Sequence, residues 1–342
     1  MGLTRSDLIL KYIVEYFIKN AQPIGSHTLI EEYHLPYSSA TIRNEMFALE
    51  KMGFIEKTHS SSGRVPSSKG YRYYCEHLRD RSVDESLKNS LQVVLEQKIQ
   101  SVEEVIKESC EILSHMTNLV SVVTGNSGNI ERLANVQLIQ ISDNTLTAVF
   151  VTDKGYVENK TFIVPNTIKA NEVVDCVKIL NDRLKGTPVD ELVSKMEALK
   201  PVLSDYVVSH DIVYQALLET FIRFAGDRLS LYGREELFNQ PEFKSDTEKL
   251  QEVFKLLNDK SVFKEAAGKK NEELAINIGE TNPDVSMVTT KIKIGDGDET
   301  SITLLGPTRM DYDKALSALE YIAEELNKYF DDLSKGGNDE DA

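Results

Sequence analysis

The segment SSATIRNEMFALEKMGFIEKTHSSSGRV, residues 38–65, decides how the chain begins. Ile42, Met46 and Leu49 recur at helical spacing, Ser38 or Ser39 supplies an N-cap, and Gly53 closes the run. Residues 54–58 read as a short strand, 59–64 as a small polar loop, and Val65 as the start of a return strand. Upstream, Leu8, Ile9, Tyr12, Ile13, Tyr16 and Phe17 form the apolar face of a helix over 4–20, which Pro23 and Gly25 break. Ser26 is expected to cap a second helix with Leu29, Ile30 and Tyr33 inward, and Leu35-Pro36-Tyr37 makes the following turn. A further helix from about Ser67 carries Tyr71, Tyr73 and Tyr74. Three short helices, a hairpin and another helix within 80 residues are the order of a winged helix-turn-helix.

The polar residues of that module have types that suit duplex DNA. At the start of the third helix, Arg43 matches guanine, Asn44 adenine, and the Thr41 methyl thymine. Ser38 and Ser39 sit where helix N–H groups meet phosphate. In the loop, His59, Ser61 and Gly63 let backbone approach the duplex, and Arg64 offers one guanidinium; Lys69 and Arg72 would continue a phosphate track. A competing reading keeps these groups structural, with Arg43 paired to Glu50 or Arg64 to Glu56.

Net charge is −16, opposite to what phosphate binding wants, but its distribution is uneven. Residues 1–80 hold ten Lys/Arg and nine Asp/Glu, so the remainder carries −17. The charge break suggests a domain boundary near residue 80, with an acidic body that suppresses indiscriminate DNA binding. Cys75, Cys110 and Cys176 are odd in number and widely spaced, as expected of reduced core thiols in a cytoplasmic protein. No apolar run is long enough for a membrane span, so no membrane association is expected.

Residues 83–117 step apolar side chains by three or four throughout, predicting one long helix that is either the spine of the next domain or packed in a dimer. Strands are expected at 136–142, 146–151 and 157–164, a helix at 169–184, mainly helix over 187–260, then strands at 274–279, 285–294 and 301–305. A last helix over 312–330 buries Leu316, Leu319, Ala323, Leu326 and Phe330, and 334–342 is an acidic tail expected to be disordered. The fold class is therefore α+β and multidomain. The economical arrangement is an antiparallel-sheet domain over 81–186 and 261–333 with 187–260 inserted as a mainly helical subdomain; two consecutive domains remain the alternative.

Several motifs are specific enough to carry a resemblance. Pro23-Ile24-Gly25-Ser26, the run from Ser38 to Met46, Gly63-Arg64-Val65-Pro66 and Lys69-Gly70-Tyr71-Arg72 closely resemble the heat-inducible transcription repressor HrcA family. Ile278-Gly279-Glu280 and the run from Gly306 to Tyr312 look like the same family's second hallmark. An acidic or amide residue usual near position 21 is replaced by Ala21-Gln22. The resemblance implies a homodimer that binds an inverted-repeat operator in double-stranded DNA upstream of chaperone operons. It also implies a winged helix, a GAF-like domain and a dimerisation subdomain inserted into it, with activity maintained by the chaperonin GroEL.

Other signals are weak. Residues 125–129 lack the Lys-Ser/Thr of a phosphate loop, and 295–298 lack cation-loop spacing and read as a hairpin turn. Gly306-Pro307-Thr308-Arg309 is read as a turn and N-cap for the last helix. With no catalytic constellation and no zinc spacing, neither enzymatic activity, cofactor nor metal is expected. A metabolite-sensing regulator is the alternative function; a pocket of convergent polar groups would favour it, and a domain filled by its own side chains would not.

Overall fold

Thr4 starts the first helix by a reciprocal cap, its hydroxyl accepting from the Asp7 N–H while the Asp7 carboxylate accepts from the Thr4 N–H. The computed structural model describes the chain except residues 1–2, 58–62, 98–101, 126–131, 143–144, 154, 156, 164–169, 205–213, 216–217, 220–221, 223–227, 245, 268–273, 295–297 and 337–342. Helix α1 (Arg5–Asn20) turns Ile9, Leu10, Ile13 and Val14 inward. Helix α2 (Ser26–Tyr33) follows, but its N-cap is Gly25, with no side-chain hydrogen bond. Ser26 is instead the first helical residue, and its hydroxyl meets that of Ser39 at 3.1 Å. Ser38 caps α3 (Ser39–Lys51), accepting from the Thr41 N–H. Strands β1 (Ile55–Lys57) and β2 (Arg64–Pro66) pair antiparallel with Glu56 opposite Val65. Ser67 then caps α4 (Ser68–Tyr73), which widens into a π-helical turn over Tyr74–Leu78.

The single helix expected over 83–117 is two, α5 (Glu85–Leu95) and α6 (Val102–Thr117). They run antiparallel, since Ser86 near the start of α5 lies 3.9 Å from the Met116 sulfur near the end of α6. The apolar step continues through the break, so periodicity could not reveal it. Folding back lets Leu87, Leu91 and Val94 share a core with Val105, Cys110 and Leu113.

The chain divides into two compact units. The first comprises Met1–Thr124 and Leu229–Ala342. Its five-stranded sheet has the order β7-β3-β10-β9-β8, from β3 (Val120–Gly125), β7 (Arg228–Tyr232), β8 (Leu274–Ile278), β9 (Val285–Ile294) and β10 (Asp298–Pro307). Strands β9 and β10 form a long hairpin with Val288 opposite Leu304; the expected turn itself, 295–297, lies outside the described residues. On one face Val288, Ile292, Ile302 and Leu304 pack with Leu316, Leu319 and Leu326 of the terminal helix. On the other, Val120, Val122, Met287 and Leu305 pack with Phe243, Val253, Leu257 and Phe263. These four come from a helical turn Pro241–Lys244, α9 (Thr247–Leu257) and α10 (Lys260–Ala266). The sequence pattern missed β3 because Val120, Ser121, Val122 and Val123 are all buried, and a strand covered on both faces shows no alternation.

The terminal helix α11 (Tyr312–Gly336) runs through Ser334, where the acidic tail was expected to begin; 337–342 lie outside the described residues. Its N-terminal backbone is capped by Asp311, which accepts from the Lys314 N–H at 3.0 Å, while Gly306 and Pro307 end β10. The expected cap in 306–309 is thus displaced by two residues.

The charge break near residue 80 is not a break in packing. One apolar cluster runs from Ile9 through Tyr71 and Tyr74 to Tyr312 and Phe330. Tyr71 meets the Tyr312 ring at 5.3 Å, and the Tyr74 hydroxyl donates to Asp313 at 2.7 Å. Arg79, with its side chain 2% exposed, reaches Glu320 at 2.5 Å and Ser317 at 3.3 Å.

The second unit, Gly125–Arg228, has its own three-stranded antiparallel sheet, β4 (Leu133–Ser142), β5 (Thr145–Thr152) and β6 (Val157–Ile163). Helices α7 (Ala170–Leu184) and α8 (Leu192–Ser204) contribute Leu180, Leu184, Leu192 and Met196 to a core with Leu133, Val136, Leu146 and Phe150. Asn181 pins α7 to β4, donating to the Val136 carbonyl and accepting from its N–H. The segment set within the first unit is thus 125–228, with a sheet of its own, whereas the pattern had suggested helical residues 187–260. Alternation identifies a strand but not the sheet it joins, and β7 draws the residues after 228 into the five-stranded sheet.

Two outcomes follow from this packing. A Cβ on Gly70 would lie 2.0 Å from the Phe54 carbonyl oxygen, whereas one on Gly25 meets nothing within 4 Å. Gly70→Ala is expected to cost about 1–3 kcal/mol in thermal unfolding, and Gly25→Ala, which loses only the N-cap preference for glycine over alanine, at most about 1 kcal/mol; a larger loss at Gly25 than at Gly70 would contradict the packing. Burial also raises Glu15 and Asp313 above their ordinary values of 4.5 and 3.8. The folded state therefore binds protons the unfolded chain has released, and their contribution to stability falls as pH rises from about 4 through the raised values. Relative to a Glu15→Gln, Asp313→Asn variant, the wild type should lose Tm as pH rises above about 4; parallel profiles would refute the sign.

Candidate nucleic-acid interface

Helix α3 turns Ile42, Met46 and Leu49 into the core and Ala40, Arg43, Asn44, Phe47, Ala48 and Lys51 outward. At 3.6 residues per turn those six form one stripe opposite the buried face. Among the described residues, neither Arg43 nor Asn44 has a side-chain hydrogen bond or ion pair. The Ser38 hydroxyl is shared with the Thr41 hydroxyl at 2.9 Å, and Ser39 with Ser26, so these three polar groups fix the helix start. The five positions anticipated on α3 are therefore brought together, with Arg43 and Asn44 free.

The remaining anticipated residues are otherwise engaged or undescribed. His59 and Ser61 lie outside the described residues. Gly63 is buried, and a Cβ there would meet Pro23 Cβ at 2.7 Å, so close packing accounts for the glycine. Arg64 pairs with Glu50 through Nε at 3.0 Å and Nη2 at 2.8 Å, its side chain only 12% exposed. Of the structural pairings weighed from sequence, the carboxylate is thus Glu50 and the cation Arg64. Lys69 donates to the Met52 carbonyl at 2.8 Å at the end of α3 and lies 4.6 Å from the Phe54 ring centroid. Arg72 pairs with Glu280, away from α3. Arg64 thus holds the hairpin to α3 and Lys69 holds α4 to its end, whereas Arg72 ties α4 to the turn after β8.

Sequence reasoning passed over Phe47 and Lys51. Phe47 is 53% exposed, and the Lys51 ammonium lies 4.7 Å from its ring centroid. The available signal was spacing, since Phe47 stands four residues after Arg43 and off the Ile42-Met46-Leu49 face.

Comparison with known proteins decides the family. A profile described as the HrcA protein C terminal domain matches residues 103–316. A heat-inducible transcription repressor HrcA from Halalkalibacterium halodurans is 35% identical over 336 residues, covering 96% of this chain and 98% of that protein. One of the same name from Bacillus pumilus is 36% identical over 341 residues, covering 97% and 99%. The chain belongs to the HrcA family. A crystal structure of a hypothetical protein shares the fold with this HrcA-family chain at a TM-score of 0.65 and 23% identity, covering 96% of this chain and 99% of that one. Among the described residues no helix is long and apolar enough to cross a membrane.

The Arg64–Glu50 pair yields a measurable coupling. A double-mutant cycle with Arg64→Ala and Glu50→Ala should give about 1–2 kcal/mol, above the ~0.2–1 kcal/mol of exposed pairs, because both groups are largely covered. Additive effects in thermal unfolding would mean that the pair does not anchor the hairpin.

Proposed function

We propose that the protein is a repressor of heat-shock genes that binds duplex DNA through a winged helix-turn-helix, with α3 lying in the major groove. The observation that carries this reading is the outward stripe of α3, where Arg43 and Asn44 stand exposed and unengaged on an otherwise tightly pinned helix. Their chemistry fits bidentate contacts to guanine and adenine. The HrcA family supplies the context, its relatives being named heat-inducible transcription repressors.

An inverted-repeat operator presents two equivalent half-sites, which a twofold dimer matches with two copies of α3. A dimer through the 125–228 unit is supported by its sheet, whose face away from Phe150 carries Ile139, Val157 and Ile163, 47%, 50% and 71% exposed. The GAF-like reading attaches to the five-stranded sheet. Both faces of that sheet are filled by the chain's own side chains, which favours the repressor over a metabolite sensor. Family likeness extends the reading to the chaperonin GroEL as the partner that keeps the repressor active, with unfolding or aggregation of a marginally stable dimer as the heat signal.

A gel-shift titration with an inverted-repeat duplex from upstream of a chaperone operon tests the proposal beside a scrambled duplex. An Arg43→Ala, Asn44→Ala variant should lose at least about thirtyfold in affinity for the repeat, as expected of two contacts of about 1–3 kcal/mol each. Equal binding to the scrambled duplex, or no binding with chaperonin present, would defeat the reading.

A further inference from the structure

We propose that Phe47 reads sequence: its ring packs on the C5-methyl of a thymine in the major groove, one helical turn beyond Arg43. The inference rests on the DNA-binding reading of α3 and adds a base-specific contact to it.

Phe47 is an aromatic side chain at the centre of the outward stripe of α3, 53% exposed. The other aromatic residues nearby have structural partners: Tyr12 stacks on Tyr33 at 4.0 Å, Phe54 meets Tyr73 at 5.1 Å, and Tyr71 meets Tyr312. Among the described residues the Phe47 ring has no aromatic partner, and the Lys51 ammonium lies over it at 4.7 Å from the centroid. About half of the side chain's surface is left accessible to a ligand.

Charge selects the ligand. The stripe contains Arg43 and Lys51, one amide, two alanines and no carboxylate. A second copy mated through the same stripe would set like charges against each other, whereas the two backbones bordering a groove complement them. With cations on either side and small alanines at 40 and 48, the helix can approach base edges closely enough for Phe47 to touch them. Among the four bases only thymine offers a methyl in the major groove, and an apolar ring is a suitable group to read it.

The experiment uses the full-length protein and duplexes recovered by selection from a random-sequence library. Each thymine is replaced in turn by deoxyuridine, which removes only the methyl. At one thymine of each contacted site the wild type should weaken about fourfold, the equivalent of about 0.8 kcal/mol for one buried methyl. Phe47→Ala should bind the thymine duplex about as weakly as the wild type binds its uracil counterpart, and should be indifferent to the replacement. Phe47→Leu, still apolar, should retain at least about twofold discrimination. Thermal unfolding of both variants should stay near wild type, because the side chain is exposed. Indifference of the wild type at every thymine overturns the assignment. So does discrimination retained by Phe47→Ala. Failure to recover any duplex removes the DNA-binding reading as well, whereas recovered duplexes without a methyl effect remove Phe47 alone.

Discussion

Arg79 is the group on which the first unit depends. Its guanidinium leaves the turn after α4 and is satisfied by the Cys75 carbonyl, Ser317 and Glu320, joining residues 3–80 to α11. A buried cation of this kind tolerates no half-measures: losing one partner of a buried pair costs about 3–5 kcal/mol, a large part of the ~5–15 kcal/mol that holds a whole domain together. Glu320 is 39% exposed, so solvent offsets part of its own loss, and the burden falls on the arginine. The same seam carries Tyr71 against Tyr312 and Tyr74 onto Asp313, so apolar and polar contacts reinforce one another there.

That seam explains why the charge break near residue 80 separates compositions without separating cores. The first 80 residues keep near-neutral charge while the rest carries the acid, yet the apolar cluster ignores the division. Surface charge answers to binding and solubility, and core packing answers to apolar pattern; nothing requires the two to change at the same residue.

Local signals were therefore legible and long-range ones were not. The cap at Ser38, the helix starts near Thr4 and Ser67 and the apolar faces of α1 to α3 lie within a few residues of what they organise, although the cap expected at Ser26 falls on Gly25. The break between α5 and α6 and the assignment of β4–β6 to a separate sheet depend on which distant surface a segment meets. The candidate site divides in the same way. Arg43 and Asn44 remain exposed as expected, but Arg64, Lys69 and Arg72 find partners 14, 17 and 208 residues away. A cation's residue type announces that it can meet phosphate; only its neighbours decide whether it is free to.

The free and engaged cations together describe how α3 is used. Arg64 holds the hairpin to Glu50 near the last turn of α3, Lys69 donates to the Met52 carbonyl just past its end, and Ser38 fixes its first turn. The helix is thus immobilised at both ends, while its outward stripe makes few contacts of its own. Such an arrangement lowers the ordering cost of binding, since the backbone that presents Arg43, Asn44 and Phe47 is already in position. It also ties that presentation to the core behind it. A perturbation that opens the Tyr71–Tyr312 seam exposes the inner faces of α4 and α11 and removes the support on which the position of α3 rests. In the proposed reading, heat need not act on Arg43 and Asn44 themselves to silence them, because their geometry is held by a core they share with the body.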